Sequence, residues 1–377
     1  MSEVYINKIA KFLPNKPVSN DEMEDRLGVI NGKTSKARRI VLRNNQIKTR
    51  YYAIDEEGSI THNNAQLTKE AVELLCDENF KKEDIEILSC GTSSPDQILP
   101  SHTSMVHGFL KNGNIEINSP SGACCSGMNA LKYGFMAVKS GISNNAVCAG
   151  SERTSSWMKS DIFETEVKHL AELEEKPILA FQKDFLRWML SDGAGAVLLE
   201  NQPKGDTPLR IEWIQGFSYA SEIDACMYAG ADKLEDGFLK PWSEYPSEVW
   251  GEMSLFAMKQ DTRLLGNHIL VKGVESLKAS IDKHGIKASE ITYYLPHISS
   301  YYFKEGLYKE MDKQGVHIPW ENWFINLDKV GNIGAGSIYI MLEELVASGK
   351  LKKGDKILLS VPESARFSYM YSLLTVC

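Results

Sequence analysis

The stretch Ser119-Pro-Ser-Gly-Ala-Cys-Cys-Ser-Gly-Met-Asn-Ala-Leu131 joins two segments whose apolar residues follow different periods. Before it, residues 114–118 alternate apolar and polar side chains, which predicts a short β-strand. After it, apolar residues recur at the spacing of a helix, namely Met128, Leu131, Phe135 and Val138. The small residues between the two segments predict a sharp turn from strand into helix. The stretch is therefore typical of an α/β fold with a turn at a helix N-terminus.

Two adjacent cysteines, Cys124 and Cys125, occupy this turn. A thiol there lies where unpaired N–H groups and the positive end of the helix dipole meet, which favours the nucleophilic thiolate. The same N–H groups are able to hold the oxyanion that forms when a thiol attacks a thioester. A pair of buried structural cysteines fits the turn equally well. The turn alone therefore leaves both interpretations open.

The composition narrows the class of protein. A chain of 377 residues is too long for one ordinary core, so two domains or one duplicated architecture is expected. The net charge of −8 argues against nucleic acid as the main partner. The N-terminal residues show no signal-peptide pattern, and no window reaches about 18 uninterrupted apolar residues, so no membrane span is expected. Seven cysteines without a CxxC pair favour a reduced, cytoplasmic protein with neither a disulfide framework nor a metal site.

One order of predicted elements occurs twice along the chain. A helix and then a strand are predicted over residues 67–88, and again over residues 271–295. A turn-rich stretch near residues 201–207 separates the two occurrences. We therefore predict an internal duplication, with an N-terminal half over residues 1–200 and a C-terminal half over residues 201–377.

The duplication places three polar side chains at corresponding turns. His297 follows the later strand as Gly91 follows the earlier one, and Asn332 lies in a small-residue turn like that of Cys124. Ligands bind at the carboxyl ends of strands in such sheets, so the three residues are expected to meet there. His297 and Asn332 also have a purely structural explanation. A lone histidine after a strand usually serves packing, and asparagine tolerates the positive φ of a glycine-rich turn.

Six motifs follow one another in the order of a known family: Ile87-Leu-Ser-Cys-Gly-Thr-Ser-Ser-Pro-Asp96, the cysteine turn, Gly150-Ser-Glu152, Asp192-Gly-Ala-Gly-Ala196, Pro296-His297 and Gly331-Asn332. This ordered set resembles the β-ketoacyl-acyl-carrier-protein synthase III group of the thiolase superfamily over most of the chain. The resemblance implies an α/β, duplicated five-layer α-β-α-β-α fold that usually forms a homodimer. It also implies a Cys-His-Asn triad, which maps onto Cys124, His297 and Asn332.

The choice between the two cysteines depends on register. Counting from Cys124 places Gly127 three residues later and the pair Ala130-Leu131 six and seven residues later, as in the enzymes that this chain resembles. Counting from Cys125 displaces that pair by one residue, and one residue of helix rotates a side chain by about 100°. We therefore predict that Cys124 is the nucleophile and that Cys125 points into the helix packing as a small hydrophobic residue.

The same resemblance implies that no cofactor is bound and that the substrates are thioesters of coenzyme A or of the phosphopantetheine of acyl carrier protein. Ile47-Lys-Thr-Arg50 resembles the segment beside the pantetheine entrance of the family. It ends a basic stretch in an acidic chain, from which we select Arg38, Arg43 and Arg50 as contacts for the carrier. A solvated surface accounts for these charges equally well.

The function implied is that of a ketosynthase of the acyltransferase class, which performs decarboxylative Claisen condensation through an acyl-cysteine in fatty-acid or specialised biosynthesis. In that chemistry the thiolate of Cys124 holds the acyl group. His297 and Asn332 donate hydrogen bonds to the enolate oxygen of the second thioester. Two alternatives remain open: an acyltransferase that forms esters on the same fold, and an inactive partner subunit of a heterodimer.

Two segments depart from the family pattern. The family usually ends with a run of glycines whose backbone completes the oxyanion hole, and this chain has Val361-Pro-Glu-Ser-Ala-Arg-Phe-Ser368 instead. The segment over residues 157–190 is longer than in fatty-acid priming enzymes. Both features look more like members that build dialkylresorcinols or cyclohexanediones.

Overall fold

The computed structural model describes residues 2–30, 38–160, 186–253 and 255–377. Its strands are β1 Tyr5–Phe12, β2 Val18–Ser19, β3 Thr49–Arg50, β4 Ile87–Gly91, β5 Glu116–Asn118, β6 Asn145–Glu152, β7 Gly193–Glu200, β8 Leu209–Ser218, β9 Met227–Tyr228, β10 Ala231–Lys233, β11 Leu239–Pro241, β12 Lys259–Gln260, β13 Tyr293–Pro296, β14 Lys356–Glu363 and β15 Ser368–Val376. Its α-helices are α1 Met23–Leu27, α2 Arg38–Asn45, α3 Asn64–Glu73, α4 His102–Leu110, α5 Cys125–Ser140, α6 Thr262–His284, α7 Tyr302–Lys313, α8 Leu327–Val330 and α9 Ser337–Ala347.

The strand pairing repeats once within a nine-stranded mixed sheet of order β13-β14-β15-β8-β1-β7-β6-β4-β5. On one side, β4 runs parallel to β6, β6 antiparallel to β7, and β7 antiparallel to β1. On the other side, β13, β14, β15 and β8 repeat these relationships in the same order. Only two residue pairs, Tyr5 with Arg210 and Ile6 with Leu209, join β1 to β8. The sheet is therefore two similar halves that touch at one point, as the predicted duplication requires.

Three helical layers enclose the two halves of the sheet. Helices α5 and α9 share one core with strands of both halves. Helices α3 and α4 pack on the outer face of the first half, and α6 and α7 on the outer face of the second. The order is α-β-α-β-α, which confirms the predicted five-layer fold. The division of the chain near residue 200 stays a prediction.

The central layer brings the cysteine helix against the turn that follows Asn332. A Cβ added at Gly127 of α5, or at Gly150 of β6, would lie 2.2 Å from the carbonyl oxygen of Ala335. The Tyr339 hydroxyl also donates a hydrogen bond to the carbonyl oxygen of Gly127 at 2.8 Å. Glycine at these two positions therefore allows the two small-residue turns to approach one another.

The strand predicted over residues 114–118 is β5, which starts two residues later at Glu116. Helix α6 is longer than predicted, because it starts at Thr262 rather than Val271. The Asp261 side chain accepts a hydrogen bond from the Leu264 N–H at 2.9 Å and caps the helix nine residues earlier. Most of the insertion predicted over residues 157–190 lies outside the described residues.

Candidate active site

The two cysteines of the turn face different surroundings. Cys124 stands at the N-cap of α5, is partly exposed, and lines a pocket. Cys125 begins the helix, is buried in the central core, and its Sγ donates to the carbonyl oxygen of Val361 at 3.3 Å. The side chains thus point as the predicted register requires. The nucleophilic role of Cys124 stays a prediction.

His297 lines the same pocket as Cys124 and follows the end of β13. Its backbone N–H donates to the carbonyl oxygen of Ser360 at 2.8 Å, which extends the pairing of β13 with β14. The imidazole is buried, and burial lowers the pKa of His297 to about 4. The ring is therefore neutral at pH 7, where it donates one N–H and carries no positive charge.

Asn332 is held by its backbone on both sides. Its N–H donates to the carbonyl oxygen of Met189, and its own carbonyl oxygen accepts from the Ser191 N–H, both at 2.9 Å. The side-chain Oδ1 accepts from the Gly334 N–H at 2.9 Å, which fixes the orientation of the amide. Because the oxygen is engaged, the Nδ2 group is the end of this side chain that is left to donate to a ligand.

Asn332 does not belong to the pocket wall formed by Cys124 and His297 in the described part of the chain. Its turn instead approaches the cysteine helix through Ala335, which packs on Gly127. The structure thus brings Cys124 and His297 to one cavity and sets Asn332 in a turn packed against the first turn of α5.

Two buried carboxylates flank the cysteine turn. Glu152 Oε1 accepts N–H groups from Ser93 at 3.0 Å and from Ala335 at 3.1 Å, so it ties the loop after β4 to the turn after Asn332. Glu363 Oε2 accepts the N–H groups of Ala123 and Cys125, both at 3.0 Å. Burial raises the pKa of each carboxyl, against the opposing effect of these hydrogen bonds.

The position of Cys124 at a helix N-terminus predicts a lowered thiol pKa, whereas its surroundings raise that pKa. Burial raises the pKa of the Cys124 thiol, and the charges of Glu363 and then Glu152 raise it further. The Cys124 amide acts in the opposite direction but has the smallest effect. The prediction of an easily ionised thiol is therefore wrong for this conformation, because burial, and then the charges of the two carboxylates, disfavour the thiolate.

Residues 361–368, which replace the glycine run of the family, form the end of β14, a hairpin turn and the start of β15. Phe367 is fully buried and adopts a φ of 55°, the left-handed conformation that glycine ordinarily supplies. The carbonyl oxygen of Ala365 accepts the N–H groups of Cys226 and Met227, which hold the turn in place. Sequence reasoning noted the lost glycines but missed the role of Glu363, whose only signal was an acidic residue among them.

The pocket beside Cys124 is a narrow cavity that is partly open to solvent. Its walls come from α6, α7 and the strands β13 to β15 of the second half. Most of its lining is apolar, with the following side chains on the two helices: Leu265, Ile269, Leu270, Leu277, Phe303 and Leu307. Ser360 and Gln260 add polar groups to the lining, and the Gln260 side chain donates to Ser364 Oγ at 3.2 Å.

The three arginines selected from the sequence have different surroundings. Arg50 is fully buried and donates to Asn20 Oδ1 and to the carbonyl oxygen of Trp188, so it packs inside the protein and presents no exposed charge. Arg38 forms ion pairs with Asp21 at 2.6 Å and Glu24 at 3.3 Å. Arg43 is exposed in the last turn of α2. Of the three, Arg43 alone presents an exposed charge.

The sequence predicts neither a metal site nor a membrane span, and the structure bears on both expectations. No group of three or more His, Cys, Asp or Glu side chains in the described ranges is arranged to hold a metal ion. Among the same residues, no helix is both long enough and apolar enough to span a membrane.

Known protein families match two segments of the chain. The N-terminal domain of β-ketoacyl synthase matches residues 72–204. The C-terminal domain of 3-oxoacyl-[acyl-carrier-protein] synthase III matches residues 281–362. Together the two matches cover more than half of the chain and include Cys124 and His297. The chain belongs to the ketosynthase III group of the thiolase superfamily.

Curated ketosynthase III relatives extend over nearly the whole chain. The β-ketoacyl-[acyl-carrier-protein] synthase III of Clostridium acetobutylicum is 25% identical over 362 residues, which cover 95% of this chain and 94% of the relative. The enzyme of the same name from Aquifex aeolicus is 24% identical over 313 residues, or 81% of each chain.

Solved structures share the fold of this ketosynthase III member. AbyA1, a tetronic acid condensing enzyme, matches with a TM-score of 0.74 at 18% identity and covers 99% of each chain. Xanthomonas campestris OleA, solved with bound lauric acid and lauroyl-CoA, matches with a TM-score of 0.72 at 18% identity and 99% coverage of each chain. The synthase III of Pseudomonas aeruginosa PAO1 matches with a TM-score of 0.71 at 17% identity, covering 99% of this chain and 98% of the other.

The different surroundings of the two cysteines lead to a direct test. We expect Cys124→Ser to abolish acyl-enzyme formation and Cys125→Ala to retain it, because only Cys124 reaches the pocket. Intact-protein mass spectrometry after incubation with an acyl thioester measures the covalent acyl group. A Cys124→Ser protein that still gains an acyl group on Cys125 would reverse the assignment.

Proposed function

We propose that this protein is a ketosynthase of the acyltransferase class that condenses two acyl thioesters with loss of CO2. The observation that carries the proposal is that Cys124 and His297 line one cavity at the cysteine turn of a thiolase fold. Fatty-acid and specialised biosynthesis both use this reaction, and the narrower assignment to dialkylresorcinol or cyclohexanedione formation stays a prediction, as does cytoplasmic localisation.

In the first half-reaction, the sulfur of Cys124 attacks the carbonyl carbon of an acyl thioester. The carbon–sulfur bond of the thioester breaks, the carrier leaves as a thiol, and the acyl group remains on Cys124. The thiol proton of Cys124 leaves as the bond forms, so the number of protons is conserved between the cysteine and the departing carrier. The apolar wall of the pocket then surrounds the acyl chain.

In the second half-reaction, a thioester that carries a carboxylate on its α-carbon loses CO2. The electron pair left behind spreads onto the thioester oxygen as an enolate, which hydrogen-bond donors stabilise. Neutral His297 and the Nδ2 group of Asn332 are suited to donate there, since neither brings a mobile proton that would quench the carbanion. The carbanion then attacks the acyl-Cys124 and releases the Cys124 thiolate, which takes up a proton from solvent to restore the resting thiol.

We infer that the thioesters are carried on coenzyme A or acyl carrier protein. The names of the synthase III relatives state acyl carrier protein, and OleA was solved with lauroyl-CoA. No bound cofactor enters this mechanism. The exposed Arg43 on α2 remains our candidate contact for an acidic carrier. We propose that Arg38 and Arg50 support this surface without contacting the carrier. Arg38 does so through ion pairs with Asp21 and Glu24. Arg50 does so through hydrogen bonds to Asn20 and Trp188.

The division of labour between the two half-reactions predicts the effect of one substitution. We expect Asn332→Ala to slow condensation by about 10²–10³-fold, or about 2.7–4 kcal/mol, because one enolate donor is lost. Acyl loading of Cys124 should change little. Single-turnover loading and overall product formation are to be measured separately on the same protein. Equal losses in both steps would contradict this division of labour. A wild-type protein that loads but does not condense would favour the ester-forming acyltransferase, and one that does neither would favour an inactive partner subunit.

The apolar pocket predicts a selectivity for acyl chains. Leu270→Phe narrows the pocket, so we expect kcat/KM to fall for long acyl thioesters and to change little for short ones. Each methylene that no longer fits should cost about 0.8 kcal/mol, roughly fourfold. Val271→Phe is the control, because Val271 is the next residue of α6 and is exposed. A uniform change across chain lengths would show that the pocket does not hold the acyl group.

We further propose that the protein is a homodimer that pairs through β5. This strand ends the sheet order, so one of its edges has no neighbour among the described strands. Ile117 on β5 is exposed, and so are Ile98 and Leu99 in the loop that follows β4. An unpaired edge with apolar side chains favours pairing with a second copy.

The proposed interface predicts the effect of a charge on β5. We expect Ile117→Arg to convert the dimer to a monomer, because a buried unpaired charge opposes association. Sedimentation velocity measures the change, with Ile142→Arg at the far end of α5 as a control. A monomeric wild-type protein, or a variant that remains dimeric, would contradict this interface.

A further inference from the structure

Glu363 stands where the sequence departs most clearly from the glycine run of its family. It is the last residue of β14 and is buried. Its neighbours Pro362 and Ser364 line the pocket, whereas its own side chain reaches the cysteine turn. The Glu363 carboxylate is therefore directed at the cysteine turn rather than into the pocket.

The carboxylate contacts both residues that flank the predicted nucleophile. Oε2 lies 3.0 Å from the backbone nitrogen of Ala123 and 3.0 Å from that of Cys125. A single oxygen thus spans Cys124 from one side to the other and fixes the backbone from which its sulfur projects. Gly122, just before the turn, has a φ of 151°, and a Cβ added there would lie 3.6 Å from the same oxygen.

The charge of Glu363 acts on the thiol as well as on the backbone. A carboxylate at a helix N-terminus takes up the stabilisation that the dipole would otherwise give to a thiolate. A thiolate formed beside it adds a second negative charge to a buried site, which raises the free energy of the ionised form. Burial and the charge of Glu363 both raise the pKa of Cys124.

Other titratable groups face the same thiol from the surrounding elements. Glu152 on β6 also raises the pKa of Cys124, but its oxygens are held by Ser93 and Ala335. His297 is neutral, and the tyrosines of the pocket wall, Tyr294, Tyr369 and Tyr371, titrate at higher pH than usual. Arg366 points away, with its Nε donating to the carbonyl oxygen of Ile223. Glu363 is thus the anionic group bound directly to the cysteine turn.

We infer that Glu363 is a positioning residue that holds the backbone on both sides of Cys124 and keeps the resting cysteine in its thiol form. The inference rests on the nucleophilic role proposed for Cys124. The enzyme then does not carry a free thiolate that alkylating agents or oxidants would consume, since the thiolate is the reactive form. The thiol proton leaves only as the acyl thioester is attacked, and it departs with the thiol of the carrier.

The test compares the pH dependence of Cys124 alkylation in three proteins. Wild type, Glu363→Gln and Glu73→Gln are treated with iodoacetamide at a series of pH values, and mass spectrometry measures modification of the peptide that contains Cys124. Glutamine keeps an oxygen for the two N–H groups but removes the charge. Glu73, on the outer helix α3, controls for the loss of one negative charge elsewhere.

We expect the midpoint for Glu363→Gln to fall by about one pH unit, which makes alkylation near neutral pH about tenfold faster. The Glu73→Gln midpoint should match wild type. A folded Glu363→Gln protein with an unchanged midpoint would overturn the inference. Glu363→Ala removes the backbone contacts too, so acyl loading should slow although the thiol ionises more easily. If Glu363→Ala loads at the wild-type rate, the positioning role is wrong.

The alkylation results are independent of the proposed function. Alkylation measures the ionisation of Cys124 and requires no acyl transfer. If Cys124→Ser still forms an acyl-enzyme, the proposed nucleophile is wrong even where the alkylation midpoint shifts. If Cys124→Ser forms no acyl-enzyme and the alkylation midpoint of Glu363→Gln matches wild type, the ketosynthase proposal is supported and the role inferred for Glu363 is wrong.

Discussion

The close contact between the first turn of α5 and the Ala335 carbonyl is the constraint on which the rest of the structure depends. A side chain at Gly127 or at Gly150 would meet that oxygen at 2.2 Å, so the contact exists only because both positions are glycine. It holds the two helices of the central layer together, and with them the two halves of the sheet. Since the cysteine turn and the Asn332 turn each open one of these helices, the same contact positions the site.

Buried carboxylates secure the turns that this contact brings together. Glu152 joins the loop after β4 to the Asn332 turn, and Glu363 joins β14 to the cysteine turn, each through two backbone N–H groups. A buried carboxylate is costly unless hydrogen bonds satisfy it, so these groups favour one arrangement of the backbone over others. The same charges oppose ionisation of the thiol between them. Structural support and control of reactivity thus come from the same side chains.

The site is poor in charge despite these acidic groups. His297 is neutral because burial removes the hydration that an imidazolium needs, and the Cys124 thiol is neutral because burial and two carboxylates disfavour a third charge. Proposed donors to the enolate are therefore uncharged groups held in place by the backbone. Preorganised donors of this kind stabilise developing charge without reorganisation when the reaction occurs.

The amino-acid sequence by itself determined the local elements, the duplication and the identity of the polar residues at each turn. Strand β6 and the start of α5 were predictable because apolar periodicity and small residues are local properties of the chain. The start of α6 was missed because its cap, Asp261, lies outside the apolar period. Only the tertiary structure decided the environment of each side chain: that Arg50 is buried, that Cys124 has a raised pKa, and that Glu363 reaches the cysteine turn. Burial and charge proximity depend on residues more than two hundred positions apart, such as Glu363 and Ala123, and no pattern along the chain encodes that distance.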